Sequence, residues 1–256
     1  MESLLRFSKN KISIKSINIS SYQSNLLNKY NFYHDFFCKN ANLFSKRELI
    51  NYKNSNLSIH HLRQIHSNKI INASLVVNSE SNGDGLINDK KDQSLWIYTS
   101  DCMPILIADK KQRIISAIHC GWRGIENMII SNTIIELLNR NSILEDIIVA
   151  IGPSISQRNY KVREDVYKKI STKLSYSENS NNIKYHKLIS ENIFERINSQ
   201  EYLFSLQKAA VFQFISFGIK REAISIAKKC TFKLSSEFNS WRRDKKKVFQ
   251  WSYISN

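Results

Sequence analysis

The chain has 256 residues, 42% of them hydrophobic and 23% charged, with a formal net charge of +16. That length and apolar content allow a substantial core, as one large domain or two small ones, and the whole reads as an ordinary soluble globular protein. No stretch approaches about eighteen unbroken apolar residues, and the opening MESLLRFSKNKISIK alternates apolar and charged residues too quickly for a signal peptide, so neither membrane insertion nor export is expected.

The positive charge is compatible with a phosphate-bearing partner. However, the chain is rich in Lys, Asn, Ile and Ser and poor in Gly, Pro and Ala, the usage an AT-rich genome produces. Its lysines are spread along the sequence, densest at Lys245, Lys246 and Lys247. A solvated basic surface is therefore expected, and specific nucleic-acid binding is not. Four scattered cysteines, Cys38, Cys102, Cys120 and Cys230, make no disulfide scaffold and point to thiols in a reducing cytoplasm.

In chain order, SLWIYTS (94–100), MPILIAD (103–109) and RIISAIH (113–119) are short, Ile- and aromatic-rich segments that predict strands, with residues 110–112 as a hairpin connection. IENMIISNTIIELLNR then carries a helical stripe at Ile125, Met128, Ile129, Ile134, Ile135 and Leu138. DIIVAIGPSI predicts a buried strand ending at Gly152-Pro153, followed by helices near 161–174 and 200–217 and an exposed loop over 175–183. AISIAKKCTF and VFQWSYI predict closing strands. No repeat and no linker interrupts the chain, which reads as one α+β domain over residues 1–256.

Glycine and proline are scarce. An average composition of about 7% Gly and about 5% Pro would give roughly three times as many of each. Of the six glycines, Gly83, Gly85, Gly121, Gly124 and Gly152 fall between positions 83 and 153, as do both prolines, and only Gly218 lies outside. Tight turns and close approach of backbone to a ligand are expected in that window.

The same window holds the residue types that can do chemistry. His66 sits in RQIHSNKI, Cys102 in TSDCMP at a break between predicted strands, and His119 at the end of a strand before CGWRG. Two imidazoles and one thiolate offer Zn²⁺ three ligands and leave a fourth position open, the arrangement of catalytic zinc. Their spacing matches no local finger or helical motif. Spacing alone favours the plainer reading, in which His66 caps a strand and Cys102 is a small buried hydrophobe. Trp122 offers a stacking face and Arg123 a guanidinium for an anion, or else Trp122 is core and Arg123 a solvated cation. Asp101 either orients a ligand or starts a turn. Cys120, on the opposite strand face from His119, is expected to pack. Of Arg242 and Arg243 in FNSWRRDKK, at least one reads as plain surface charge.

QIHS, GDGLI, TSDCMPILIAD, AIHCGWRG, AIGPSIS followed by Tyr160, and CTF with FNSWRRD occur in the order seen in the YfiH-like family, also called the laccase-domain, multicopper polyphenol oxidase or peptidoglycan editing factor family, which the chain resembles across residues 60–244. The resemblance implies a single compact α+β fold of mixed β-sheets packed as a sandwich with flanking helices. It implies a zinc site, with copper as the alternative, held by the residues at His66, Cys102 and His119. It implies phosphorolysis of purine nucleosides (adenosine, inosine, guanosine, methylthioadenosine) and hydrolytic deamination of adenosine, with Arg123 and Trp122 the candidates for holding phosphate and substrate. The alternatives are a hydrolase editing cell-wall peptide intermediates, a phenol oxidase, or a basic binding protein without catalysis. The chain departs from the family pattern in three places. Ser67 stands where a glycine usually follows the first metal histidine, and the Gly-Arg usual after Arg-Arg-Asp is absent from KKKVFQ. HDFFCKNANLFSKREL lacks the family's early Arg and Gly-Gly, so if that arginine binds substrate, either Lys39, Lys46 or Arg47 substitutes or activity is altered.

Overall fold

The computed structural model describes residues 2–51, 56–77, 80–176 and 192–256. A hairpin of β1 (Phe7–Ile14) and β2 (Ile17–Ser24) leads to α1 (Asn25–Lys29), β3 (Tyr33–Phe37), α2 (Lys46–Asn51) and β4 (Ser58–His61). The centre runs through β5 (Ile70–Asn72), β6 (Gly85–Ile87), β7 (Gln93–Thr99), β8 (Met103–Asp109) and β9 (Ile115–Cys120). Next come α3 (Trp122–Glu126), α4 (Ile129–Leu138), β10 (Ile147–Ile151), β11 (Lys161–Arg163) and α5 (Glu164–Tyr176). β12 (Phe194–Arg196), β13 (Glu201–Phe204), α6 (Leu206–Phe217), β14 (Ile224–Ile226), α7 (Trp241–Asp244) and β15 (Gln250–Ser255) complete the chain.

Two six-stranded mixed sheets form, ordered β1-β2-β3-β15-β7-β4 and β14-β10-β8-β9-β6-β5, with a small third sheet β11-β13-β12. Strand alternation makes the second sheet the middle layer. On β8, Leu106 and Ala108 face the first sheet, where they join Leu95, Ile97, Phe36 and Ile254. Ile105 and Ile107 face the other way and pack with Ile129, Ile130 and Ile134 of α4 and Phe212 and Phe214 of α6. Both faces are covered, so every residue of β8 is buried, and each fully buried Ile or Leu contributes roughly 1.5–3 kcal/mol. The outer face of the first sheet is closed by Leu49 and Ile50 of α2 and carries a stack in which the Tyr253 ring lies 4.6 Å from Trp96 and 5.9 Å from Phe37. This is the α+β sandwich with flanking helices that the sequence predicts.

Several local expectations change. The helix predicted from Ile125 to Arg140 is two helices, broken at Met128, whose φ of 59° is left-handed. Ile135, placed on the apolar stripe, is 45% exposed, because the buried face of α4 runs through Ile129, Ile130, Thr133, Ile134 and Leu137. The segments read as wholly helical near 161 and 200 begin as strands β11 and β13, which pair with one another and so override helical propensity. AISIAKKCTF is strand only as far as Ile226. Beyond it a single bridge joins Cys230 to Ser154. α5 extends to Tyr176, and residues 177–183 of the predicted loop lie outside the described residues.

The glycines in the 83–153 window are present for space and not for left-handed backbone, since the one glycine with positive φ is Gly218, at the C-cap of α6. At Gly152 a Cβ would stand 2.2 Å from a Phe36 ring carbon and 2.8 Å from Pro104, so β10 and the first sheet meet there with no room for a side chain. Among the described residues no helix is long and apolar enough to cross a membrane.

Candidate metal centre

His66, Cys102 and His119 arrive from three places. His66 lies in the loop between β4 and β5, Cys102 in the tight turn between β7 and β8, and His119 near the end of β9. The β8–β9 register pairs Met103 with Cys120 and Pro104 with His119, which brings the start of one strand to the end of the other. Their donor atoms lie within 4.8 Å of one another, and the two imidazole rings meet edge to face at 4.8 Å.

One carboxylate organises this cluster. Asp84, fully buried just before β6, accepts hydrogen bonds from the backbone N–H groups of Ile65 (3.2 Å), His66 (3.0 Å) and Ser67 (2.6 Å) and from the Ser67 hydroxyl (2.8 Å). Those bonds hold His66 in a left-handed conformation, φ 61°, which costs a non-glycine residue on the order of 1–2 kcal/mol. Asp84 also bonds His119 Nδ1 at 2.8 Å, which fixes the ring and leaves Nε2 for the cluster. The residues quoted as GDGLI contain this aspartate, but sequence reasoning did not single it out. An acid between two of the chain's few glycines was the available signal. Gly85 is required there, since a Cβ would lie 2.3 Å from Ile70 Cδ1.

The thiol needs equal care. At Gly121 a Cβ would stand 2.6 Å from Cys102 Sγ and 3.8 Å from His66 Cδ2, so the side of this residue facing the cluster must stay empty. Burial opposes a charge on either Cys102 or His119, but each stabilises the other's ion. Attraction to His119 and His66 brings the Cys102 pKa down to about 6, while Cys102 and Asp84 raise that of His119 to about 9. Asp84 likewise resists desolvation through His119 and Ser67 and stays ionised, its pKa lowered to about 2. Both shifts run toward an imidazolium–thiolate pair in the metal-free cluster, and its atoms are the nitrogen and sulfur donors that zinc or copper takes. Two imidazoles, a thiolate, the open face of Gly121 and a carboxylate behind one histidine therefore fit a bound metal.

The other predicted residues fall nearby in different roles. Trp122 is half-buried against the helical core, and exposed Arg123 lies over its ring at 4.4 Å. Cys120 is fully buried and packs, as expected. Asp101 does not touch the histidines through its carboxylate. It accepts instead from Thr231, Ser240 and the Arg242 backbone. The proposed substitutes for the missing family arginine are engaged elsewhere. Lys39 donates to the Ser235 carbonyl at 2.7 Å, Lys46 lies over Trp251 at 4.2 Å, and Arg47 donates to the Leu57 carbonyl at 2.9 Å.

Two six-stranded sheets packed with flanking helices, and a His/Cys/His cluster at the strand ends backed by an aspartate, place the chain among α+β proteins with a candidate metal centre. The family model described as "Multi-copper polyphenol oxidoreductase laccase" matches residues 35–254, and the chain belongs to that family. A purine nucleoside phosphorylase of Synechocystis sp. is 27% identical over 233 residues, covering 86% of this chain and 88% of that protein. One from Rickettsia conorii is 37% identical over 112 residues, 44% of this chain and 46% of the other. The crystal structure of the Bacillus licheniformis hypothetical protein YfiH has the same fold, with a TM-score of 0.77 at 20% identity over 92% of this chain and 96% of that one. Among the described residues the trio is the one cluster of three metal-binding side chains, so a multicopper arrangement finds no second donor set there.

Proposed function

We propose that this protein is a zinc-dependent purine nucleoside phosphorylase that also deaminates adenosine. The observation that carries the reading is the convergence of His66, Cys102 and His119 within 4.8 Å around the empty face of Gly121. Relatives named purine nucleoside phosphorylase supply the substrate class, a purine nucleoside and phosphate.

His66 Nε2 or Nδ1, Cys102 Sγ and His119 Nε2 would hold the zinc, which supplies Lewis-acid polarisation and lowers the pKa of water at its open position. The chain's own residues do the rest. Asp84 fixes the His119 tautomer and the His66 loop, so the donors are set before metal or substrate arrives. Trp122 offers its ring to the base or sugar, and Arg123 offers a guanidinium to phosphate. All four cysteines are free thiols, in keeping with a cytoplasmic location.

The test is metal analysis of the purified protein followed by incubation with inosine plus phosphate, and separately with adenosine. Hypoxanthine with ribose 1-phosphate, and inosine with ammonia, are the expected products. Zinc-loaded protein that yields neither, but oxidises phenols once copper is added or releases amino acids from muropeptides, overturns the reading.

A further inference from the structure

The segment of the two consecutive arginines Arg242 and Arg243 is tied to the turn that carries the thiol through the Asp101 carboxylate and, by the Trp241 N–H, through Ser100 Oγ at 2.8 Å. Asp101 immediately precedes Cys102. Its carboxylate accepts from Thr231 Oγ1 at 2.7 Å, Ser240 Oγ at 3.1 Å and the Arg242 backbone N–H at 2.7 Å, while its carbonyl accepts from the Ile155 N–H at 3.0 Å. Three separate segments, around Ile155, Thr231 and Ser240–Arg242, are thereby tied to the turn that carries the thiol.

From that shared anchor the two guanidinium groups diverge. Arg243 donates to the carbonyls of Thr231, Phe232 and Phe238 at 2.8–2.9 Å and pairs with the Asp244 carboxylate at 2.8 Å. All its nitrogens are satisfied by its own loop, so it acts as a staple. The Arg242 guanidinium makes a single hydrogen bond, from Nη1 to the Lys161 carbonyl at 2.9 Å, and lies over the Tyr160 ring with Cζ 5.0 Å from the centroid. Among the described residues neither Arg242 nor Arg123 has a carboxylate partner. Tyr160 is 9% exposed. The Arg242 backbone N–H reaches the carboxylate of Asp101, the neighbour of Cys102, and Arg123 follows two residues after Gly121, whose open face lies against Cys102 Sγ, so both arginines belong to segments that flank the turn carrying the thiol.

We propose that Arg242, held over Tyr160, seats the phosphate co-substrate together with Arg123, and that Arg243 serves only to hold the loop. This inference rests on the phosphorolysis reading and names the residue that binds its anion. Phosphate at neutral pH carries close to two negative charges, which two guanidinium groups match, and Arg presents paired donors that an oxyanion accepts bidentately. In the reaction a phosphate oxygen forms the bond to the ribose C1′ as the C1′–N9 bond breaks. The departing electron pair stays on the purine, which takes the proton that hydrogen phosphate gives up, leaving ribose 1-phosphate. An anion held by fixed cations beside the site lowers the cost of bringing that nucleophile to an uncharged nucleoside. Anchoring through Lys161 and Tyr160 restricts Arg242 to one place, so little side-chain freedom is lost on binding.

The experiment compares metal-loaded wild-type protein with Arg242→Gln, Arg242→Lys and Arg243→Gln. Inosine cleavage is followed at varied phosphate and at varied nucleoside, and binding of inorganic phosphate is measured directly by calorimetry. Arg242→Gln is expected to raise the KM for phosphate roughly 10- to 100-fold, the loss expected for a hydrogen bond between charged groups, while the KM for inosine moves less than about 2-fold. Arg242→Lys recovers part of the loss, and direct phosphate binding weakens in parallel. Arg243→Gln lowers thermal stability and leaves the KM for phosphate unchanged. An unchanged phosphate KM in Arg242→Gln, or an effect of equal size on inosine, overturns the assignment. If wild-type protein cleaves no inosine, the functional reading fails. Calorimetry then judges the anion seat separately, which is overturned if wild-type and Arg242→Gln protein bind phosphate alike.

Discussion

A Cβ on Gly121 would stand 2.6 Å from Cys102 Sγ, far inside van der Waals contact. The residue after the strand of His119 therefore decides where a thiol in the turn between β7 and β8 can go. The backbone at Gly121 has φ −90°, open to any amino acid, so the constraint is purely one of space.

Gly121→Ala is expected to displace the thiol without unfolding the protein. Metal affinity should fall on the order of 10- to 100-fold, the range seen when support of a ligand is lost. Competition with a chromogenic chelator, alongside a circular dichroism melt, separates loss of metal from loss of fold. Full metal binding by the variant would show that the thiol is not a ligand.

Asp84→Asn tests the carboxylate that gathers Ile65, His66, Ser67 and His119. The amide keeps the shape but presents an N–H where one of these donors expects an acceptor, and it removes the charge that holds His119. A loss of about 1–3 kcal/mol in stability is expected, with weaker metal binding as well. Denaturant unfolding with and without zinc reads both effects.

Metal uptake should release protons in a way that depends on pH. The His119 pKa is raised from its ordinary 6.5 to about 9, so its contribution to stability is complete below about 6.5 and is lost as pH rises through about 9. The Cys102 pKa is lowered from 9.0 to about 6, so its contribution is complete above about 9 and is lost as pH falls through about 6. The metal-free pair is thus strongest between those limits. At pH 7.5 binding should expel about one proton, from His119, rising toward two below pH 6 as the thiol is also protonated. Calorimetry in two buffers of different ionisation enthalpy measures the count, and a pH-independent value of zero would contradict the pair.

Gly152→Ala probes the sandwich and leaves the metal centre alone. The new methyl group meets the Phe36 ring at 2.2 Å and Pro104 at 2.8 Å, where sheet packing leaves neither free to move. Overpacking of this kind costs about 1–3 kcal/mol and should lower the melting temperature with metal content unchanged.

Much of this was legible from the chain. Short runs rich in Ile and aromatic residues located β7, β8 and β9 to within about two residues, because a strand buried on both faces leaves a short, dense apolar signature that polar turns delimit. His66, Cys102 and His119 stood out because histidine and cysteine are scarce here and these three sit beside strand ends. The break at Met128 was hidden. A helical stripe has the same period on either side of a single left-handed residue, and it is the φ of 59° at Met128 in the folded protein that reveals the break. The strands at Lys161 and Glu201 were equally hidden, since each is stabilised by the other, forty residues away.

The sequence by itself determined which donors were available and where apolar strands would run, since these depend on residue type and on periods of two and 3.6. Tertiary structure alone decided that Asp84 orients the cluster, that Gly121 makes room for a sulfur, and that neighbouring Arg242 and Arg243 play different parts. Each of those roles depends on distances of about three ångströms between segments that the chain places tens of residues apart, and no local pattern encodes such a meeting.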